Sequence, residues 1–197
     1  NNRSSDEFRV TLYHELAHAA HYFGISANQR GPYWVANIQR TIDNAISNNN
    51  PPYGNYDGSI GAERCAVIES WGFHMGWYLA DLKYGENLGR NISVGITSFR
   101  DFNRYVHREA ERDNPSATTG WPWIPQGLCW DLIDDNALQT NPLVTDPVND
   151  SIAGFTNSQL FTAYTNNAPE RMVDLRTNML NFNSDTAVIQ LFREYGY

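Results

Sequence analysis

The sequence predicts a mainly α-helical single domain. Apolar residues recur at spacings of three and four along much of the chain, whereas an alternating strand pattern is almost absent, with residues 92–96 as a weak candidate. A length of 197 residues fits one domain, and 41% hydrophobic residues, with 13% aromatic residues, can form a sizeable core. We therefore expect residues 1–197 to form one helical domain.

Three helices are predicted in the N-terminal half. The first begins near Asp6 and ends at Gly24, the second covers residues 33–46 after a polar loop through Pro32, and the third covers residues 59–82. The apolar residues of the first helix share one face, which we expect to be buried: Phe8, Leu12, Leu16, Ala19 and Phe23. Between the second and third helices, the breaker-rich stretch 48–58 predicts a long surface loop, and long ordered loops are often functional.

Further helices are predicted at residues 99–111, 126–137, 158–164, 169–180 and 185–195. Pro169 is expected at the first position of its helix, because its ring already has a helical φ and its missing N–H is not needed there. Ser184 is expected to cap the last helix. The apolar residues of that last helix follow a clean amphipathic pattern, which indicates packing against the core.

Charge and hydropathy exclude two classes of partner. The net charge is −8, from 22 acidic and 14 basic residues. Nucleic acids and anionic bilayers both require a basic surface, so neither is expected as the main partner. The chain also has no run of 18 apolar residues, so no membrane span is expected.

The two cysteines do not form a metal-binding or redox motif. Cys65 and Cys129 are far apart in sequence, and their spacing allows either one disulfide or two buried thiols. The chain starts without an initiating Met or an apolar signal region, which indicates processing or trimming. A composition with 22 asparagines and a single lysine favours a secreted or cell-surface protein.

The first helix carries a His-Glu-x-x-His motif at His14, Glu15 and His18. Residues four apart lie on one face of a helix, so both imidazoles can bind one metal ion. Glu15 lies about 100° around the helix from His14, so it can reach a metal-bound water without being a ligand. Zinc suits imidazole and carboxylate ligands and lowers the pKa of its water to about 7. The motif therefore predicts a zinc site with Glu15 as the catalytic residue.

Residues 12–19, Leu-x-His-Glu-Leu-Ala-His-Ala, resemble the active-site helix of the zincin metallopeptidases. The resemblance implies that both histidines bind zinc, that the glutamate is the general base, and that a third ligand comes from further along the chain. The metzincin branch does not fit, because His21 and Gly24 occupy the places of its glycine and third histidine. His21 lies about 10 Å along the helix from His14, so we expect it to support a ligand or to lie on the surface.

The gluzincin branch takes its third ligand from a glutamate on a later helix. The stretch Glu-Ser-Trp-Gly-Phe that starts at Glu69 is similar to the Glu-x-Trp-Ala-x-Phe/Tyr pattern of some gluzincins. Glu63 competes with Glu69, but it points about 120° away on the same helix and has a solvated alternative. Apolar neighbours predict burial of Glu69, and Gly72 and Gly76 leave room for the first helix. We predict Glu69 as the third zinc ligand, with His74 next after the two glutamates.

The predicted site requires two further groups that the sequence does not assign to one residue: one that orients His14 and one that stabilises the oxyanion. Many gluzincins have an aspartate four residues after the ligand glutamate, but Phe73 stands there, so another group must orient His14. A donor near the developing oxyanion is also required. Chemically suitable donors are Tyr105, His107, His74 and Tyr164. One of the carboxylates at 131–135 is a further candidate for supporting the site.

The resemblance implies a zinc metallopeptidase that hydrolyses peptide or protein substrates through a zinc-bound water activated by Glu15. The alternative is a non-catalytic cell-surface binding module that keeps a zincin scaffold, with aromatic loops at 52–56 and 121–123 as contacts. An intact Glu15 favours the enzyme, since a scaffold does not need this acid. Zincin helices pack under a small sheet, and 13 residues before His14 are too few to form it. We therefore expect the C-terminal part of a longer protein, or a fold without that sheet.

Overall fold

The computed structural model describes residues 5–47, 53–84, 123–133 and 152–197, which are mainly helical and contain no strand. This confirms the predicted mainly α fold for the described ranges. The helices in these ranges are α1 (Ser5–Gly24), α2 (Ala27–Ser47), α3 (Ile60–Tyr84), α4 (Leu128–Asp131), α5 (Asn157–Thr165), α6 (Met172–Leu180) and α7 (Thr186–Glu194). The predicted strand at 92–96 and helix at 99–111 lie outside the described residues.

Helix α3 runs through the centre of the described structure. All residues from 64 to 72 are buried, as expected for a helix that is apolar on most of its surface. Around α3, one core contains Trp71, Leu128, Tyr164 and Phe192, from α3, α4, α5 and α7 respectively. Neither α3 nor any other described helix is long and apolar enough to cross a membrane.

Helix α1 packs closely along α3 at two glycines. A Cβ atom on Gly76 would lie 3.1 Å from the carbonyl oxygen of Val10 and 3.2 Å from the Cβ of His14. The Trp71 indole donates a hydrogen bond of 3.2 Å to the carbonyl of Ala17, which joins the two helices one turn further along. The prediction that Gly72 and Gly76 leave room for α1 is confirmed.

The predicted burial of the apolar stripe of α1 is wrong. Leu12 is 44% exposed, Leu16 52% and Phe23 71%. The buried residues of α1 lie on the opposite face and include His14, Ala17 and His21. The helix itself has the predicted bounds, but it turns its histidines toward α3 because the glycines of α3 admit them.

Several helix bounds differ from the prediction. Helix α4 begins at Leu128 rather than at residue 126 and ends at Asp131. Helix α2 begins at Ala27, so Pro32 lies inside it, where Gly31 lacks the Cβ that would clash with the proline ring. Helix α6 begins at Met172 rather than Pro169. Helix α7 is capped by Asp185, whose carboxylate accepts a hydrogen bond of 2.9 Å from the backbone of Ala187. An aspartate and a serine are equally good caps, so the sequence alone does not separate Asp185 from Ser184.

The cysteines are two buried free thiols. Cys65 lies on α3 and Cys129 on α4, and neither forms a disulfide. Burial raises the pKa of Cys129 to about 12 and that of Cys65 above its ordinary range. Both side chains are therefore protonated at neutral pH, and they act as small apolar groups rather than as nucleophiles or metal ligands.

Candidate metal centre

Helices α1 and α3 bring together three side chains of the predicted site. The Nε2 atoms of His14 and His18 lie 2.9 Å apart, one helical turn from each other on α1. The Oε2 atom of Glu69, on α3, lies 3.1 Å from the Nε2 of His14 and 3.4 Å from the Nε2 of His18. Two imidazole nitrogens and one carboxylate oxygen thus form a small triangle between the helices.

The triangle has the size of a zinc site. Zinc binds imidazole nitrogen and carboxylate oxygen at about 2.0–2.2 Å in tetrahedral geometry, so its ligand atoms are separated by about 3.3 Å. The three measured separations, 2.9, 3.1 and 3.4 Å, lie close to that value. No other group of three His, Cys, Asp or Glu side chains converges in this way within the described ranges.

Gly72 makes the approach of both imidazoles possible. A Cβ atom at this position would lie 2.6 Å from the Cε1 of His18 and 2.8 Å from the Cε1 of His14, both closer than packing allows. Phe73 contacts the His14 ring edge-on, with centroids 4.7 Å apart, and Trp34 of α2 contacts His18 at 5.7 Å. The two rings are therefore fixed between α2 and α3.

The carboxylate of Glu69 is ionised although it is only 5% exposed. Burial raises its pKa, but hydrogen bonds with His14 and His18 outweigh burial and lower the pKa to about 2. A buried anion of this kind needs positive partners to offset its desolvation. A divalent cation held by the same three side chains would provide the missing charge.

The structure adds Tyr53 to the site, which sequence reasoning missed. This residue is half-buried in the loop before α3 and packs against the main core. Burial first, and then the negative charge of Glu69 and hydrogen bonding to it, raise the pKa of Tyr53 above its ordinary range, so the phenol is protonated. The one sequence feature that could have indicated this residue is the presence of a tyrosine in the long loop before the helix that carries Glu69.

Glu15 lies at the solvent side of the cluster. It is exposed, whereas His14 and Glu69 are buried and His18 is half-buried. On α1 it follows His14 directly and lies about 60° around the helix from His18. It is close enough to Tyr53 for its charge to raise the pKa of that tyrosine. Glu15 therefore lies outside the ligand triangle, at an exposed position of α1 between the two histidines in sequence.

Glu63, the competitor for the third ligand position, has a different role. Its Oε2 accepts a hydrogen bond of 3.2 Å from the backbone N–H of Met172, at the start of α6. The next residue, Arg64, pairs with Glu170 at 2.7 Å, just before the same helix. These contacts attach α3 to α6 on a side away from the histidines.

His21 and His74 also lie outside the triangle, and both are fully buried. The Nε2 of His21 donates a 2.9 Å hydrogen bond to the carbonyl of Tyr164, so a surface position for His21 is wrong. The Nε2 of His74 lies 2.7 Å from the Oδ1 of Asn157. Burial lowers the pKa of His21 to about 3 and that of His74 to about 4, so both are neutral.

The remaining described candidates belong to the core. Tyr164 is buried, and its hydroxyl contacts Ser70 at 2.9 Å and Cys129 at 3.1 Å. Asp131 is buried too, and accepts a hydrogen bond of 2.5 Å from the hydroxyl of Tyr195. Neither side chain belongs to the triangle. The other candidates lie outside the described residues: Tyr105, His107, Asp134 and Asp135.

Comparison of the chain with known protein families, with curated proteins and with solved structures finds no match. Support for a function therefore comes from the motif on α1 and from the geometry around it.

Proposed function

We propose that the chain is a zinc-dependent metallopeptidase that hydrolyses peptide or protein substrates, with His14, His18 and Glu69 as zinc ligands. One observation carries the proposal: the His-Glu-x-x-His motif and a glutamate 55 residues beyond His14 converge with the separations of a zinc site. Two imidazoles and one ionised carboxylate suit zinc, and three protein ligands leave a fourth position open, as in catalytic sites.

Each side chain has a defined part in hydrolysis. When bound, zinc supplies Lewis acidity, which acidifies a water molecule and polarises a carbonyl group. Glu15 takes a proton from the attacking water and passes it to the leaving amine. His14, His18 and Glu69 hold the site in place from two packed helices, so the reacting groups are positioned before substrate arrives.

The difference in burial across the site supports access from one side. The side chains of His14, His18 and Glu69 are only 10%, 14% and 6% exposed, whereas Glu15, on the same helix as the histidines, is exposed. A peptide that approaches on this side meets the open ligand position and the general base together. This asymmetry supports a catalytic site over a closed structural one.

Glu15→Gln tests the proposal, because it removes the base while keeping the size of the side chain. We expect the variant to bind about one zinc per chain and to lose peptide hydrolysis by about 10²- to 10⁴-fold. Asp43→Asn on α2 is the matched control, since Asp43 is an exposed acid with a hydrogen bond to Gln39. The measurements are metal content and digestion of a broad peptide library.

Hydrolysis that survives in Glu15→Gln would contradict this mechanism. Zinc binding without hydrolysis in either the wild-type protein or Asp43→Asn would favour a non-catalytic binding module. Absence of zinc from the wild-type protein, after incubation with the metal, would contradict the metal centre itself.

A further inference from the structure

We propose that a buried water molecule between α1 and α2 links His18 to His21 and Trp34, and that Trp34 thereby acts as a positioning residue for His18. The role in metal binding rests on the proposed zinc site. Trp34 contacts both imidazoles edge-on, with ring centroids 5.7 Å from that of His18 and 5.5 Å from that of His21. The two histidines are three residues apart on α1, so they are neighbours on one face of that helix.

Each of the three rings has one buried nitrogen atom without a hydrogen-bond partner in the described part of the chain. These atoms are the Nδ1 of His18, the Nδ1 of His21 and the Nε1 of Trp34. Buried polar atoms in proteins nearly always form a hydrogen bond, because the contact with solvent that they lose must be replaced. Three such atoms, on rings that meet at Trp34, therefore indicate a shared partner between them.

The three nitrogen atoms are complementary to one water molecule. The Nε2 of His21 donates to the carbonyl of Tyr164 and the ring is neutral, so its Nδ1 is an acceptor. The Nε2 of His18 belongs to the ligand triangle, so in the metal-bound site its Nδ1 carries the proton and donates. The indole N–H of Trp34 can only donate. A water molecule can accept from both donors and donate to His21.

Asn37 provides an acceptor for the second hydrogen of this water. It lies three residues after Trp34, so the two side chains are neighbours on one face of α2, and it is only 5% exposed. Its Oδ1 is also buried without a partner among the described residues. With two donors and two acceptors, the water forms four hydrogen bonds to groups that otherwise have none, as structural waters in protein interiors do.

This water gives the metal ligand His18 the support that the described residues do not give it directly. A histidine that binds metal through one nitrogen usually donates from the other, and loss of that partner lowers metal affinity. The hydrogen bond of His21 to the carbonyl of Tyr164 fixes the far end of the link on α5. The orientation of His18 thus depends on α2 and α5 as well as on α3.

The test is Trp34→Phe, which removes the indole N–H and keeps an aromatic ring. Nuclear magnetic resonance of the full chain should show a bound water in contact with one indole N–H, with and without zinc, and that indole signal should be the one missing from the variant. We expect zinc affinity, measured by competition with a chromogenic chelator, to fall by about tenfold. The visible spectrum of the cobalt-loaded variant should also change, because the orientation of His18 changes.

Two further variants separate the water link from packing. Trp77→Phe also removes a buried indole, which packs against Val10 and Tyr13, and should change zinc affinity by less than about twofold. Asn37→Leu keeps the size of the side chain and leaves Trp34 in place. It should weaken the water contact and lower zinc affinity in the same direction as Trp34→Phe. Circular dichroism of the zinc-free variants checks that all three are folded.

Absence of a water contact at the Trp34 indole, or unchanged zinc affinity in Trp34→Phe, would overturn the proposal and leave the zinc site standing. Lower affinity in Trp34→Phe with no change in Asn37→Leu, or an equal loss in Trp77→Phe, would also overturn it, because packing alone would then explain the effect. A wild-type protein that shows the water contact but binds neither zinc nor cobalt would contradict the proposed function, and with it the role of Trp34 in metal binding.

Discussion

The apolar face of α1 is exposed and its histidine face is buried, which is the reverse of what the sequence predicts. Leu12 and Leu16 are exposed, whereas His14 and His21 are buried. Leu12 and His14 lie about 160° apart around the helix axis, so the two faces are almost opposite. The hydrophobic effect alone would bury the leucines, at about 25 cal/mol per Å² of apolar surface.

The difference shows that specific partners decide how α1 packs. A buried imidazole destabilises the fold unless it is hydrogen-bonded, and each buried histidine has a partner on another helix. His14 meets Glu69 on α3, and His21 donates to a carbonyl on α5. The polar face of α1 is therefore the buried one because its histidines form these contacts. The following substitutions test the difference between the two faces.

Gly72→Ala should have the largest effect, because the added Cβ meets both histidine rings at less than 3 Å. We expect a loss of about 1–3 kcal/mol in the free energy of unfolding and at least a tenfold loss of zinc affinity, since the ligands must move. Ala45→Leu on α2 is the control, since it also adds carbon atoms to a helix but at an exposed position away from the histidines. Its unfolding free energy should stay within about 0.5 kcal/mol of the wild type. Equal effects of the two substitutions, measured by urea unfolding and zinc titration, would contradict the close approach at Gly72.

The buried histidine face should also make stability depend on pH. Folding lowers the pKa of His21 from 6.5 to about 3, because burial disfavours the charged ring. Between these values the unfolded chain binds a proton that the folded chain does not. The contribution of His21 is therefore complete above pH 6.5 and is lost at about 1.4 kcal/mol per pH unit as the pH falls toward 3.

The variant for this comparison is His21→Gln, which keeps a donor for the carbonyl of Tyr164 but does not titrate. Urea unfolding of the zinc-free proteins between pH 7 and pH 4 should show a weaker pH dependence in the variant. Parallel curves for the two proteins would mean that His21 is charged or accessible in the folded state.

The smallest effect is expected on the apolar face. Leu16→Gln replaces an exposed side chain by one of similar helix propensity, so the unfolding free energy should change by less than about 0.5 kcal/mol. The neighbouring substitution Ala17→Gln places the same side chain on the buried face and should cost about 1–3 kcal/mol. If Leu16→Gln proved the more damaging of the two, the assignment of the faces would be reversed.

The parts of the site that depend on helical periodicity could be predicted from the sequence. Spacing four apart places His14 and His18 on one face, and the choice of Glu69 over Glu63 followed from their different directions and neighbours. The glycines at 72 and 76 could also be recognised, because they follow Glu69 on one helix. All these inferences use distances within single helices, where geometry is fixed by the backbone.

Properties that depend on contacts between distant segments could not be predicted. Which face of α1 is buried depends on how this helix packs against α3. The apolar stripe of α1 predicted burial of the wrong face. Tyr53 lies 16 residues before Glu69 in an irregular loop, so no periodicity relates the two. The loop that follows it is held by Trp123, which donates to the carbonyl of Gly54, and by Arg40, which donates to the carbonyl of Asn55.

The most direct test of the account is the zinc content of Glu69→Ala and Glu63→Ala beside the wild-type protein. Each variant is incubated with zinc, desalted and analysed for metal per chain. We expect about one zinc in the wild type, nearly none in Glu69→Ala, and about one in Glu63→Ala, which loses only a contact with α6 and about 1 kcal/mol of stability. Zinc retained by Glu69→Ala, or lost from Glu63→Ala alone, would contradict the assignment of Glu69 as the ligand that joins α3 to the histidines of α1.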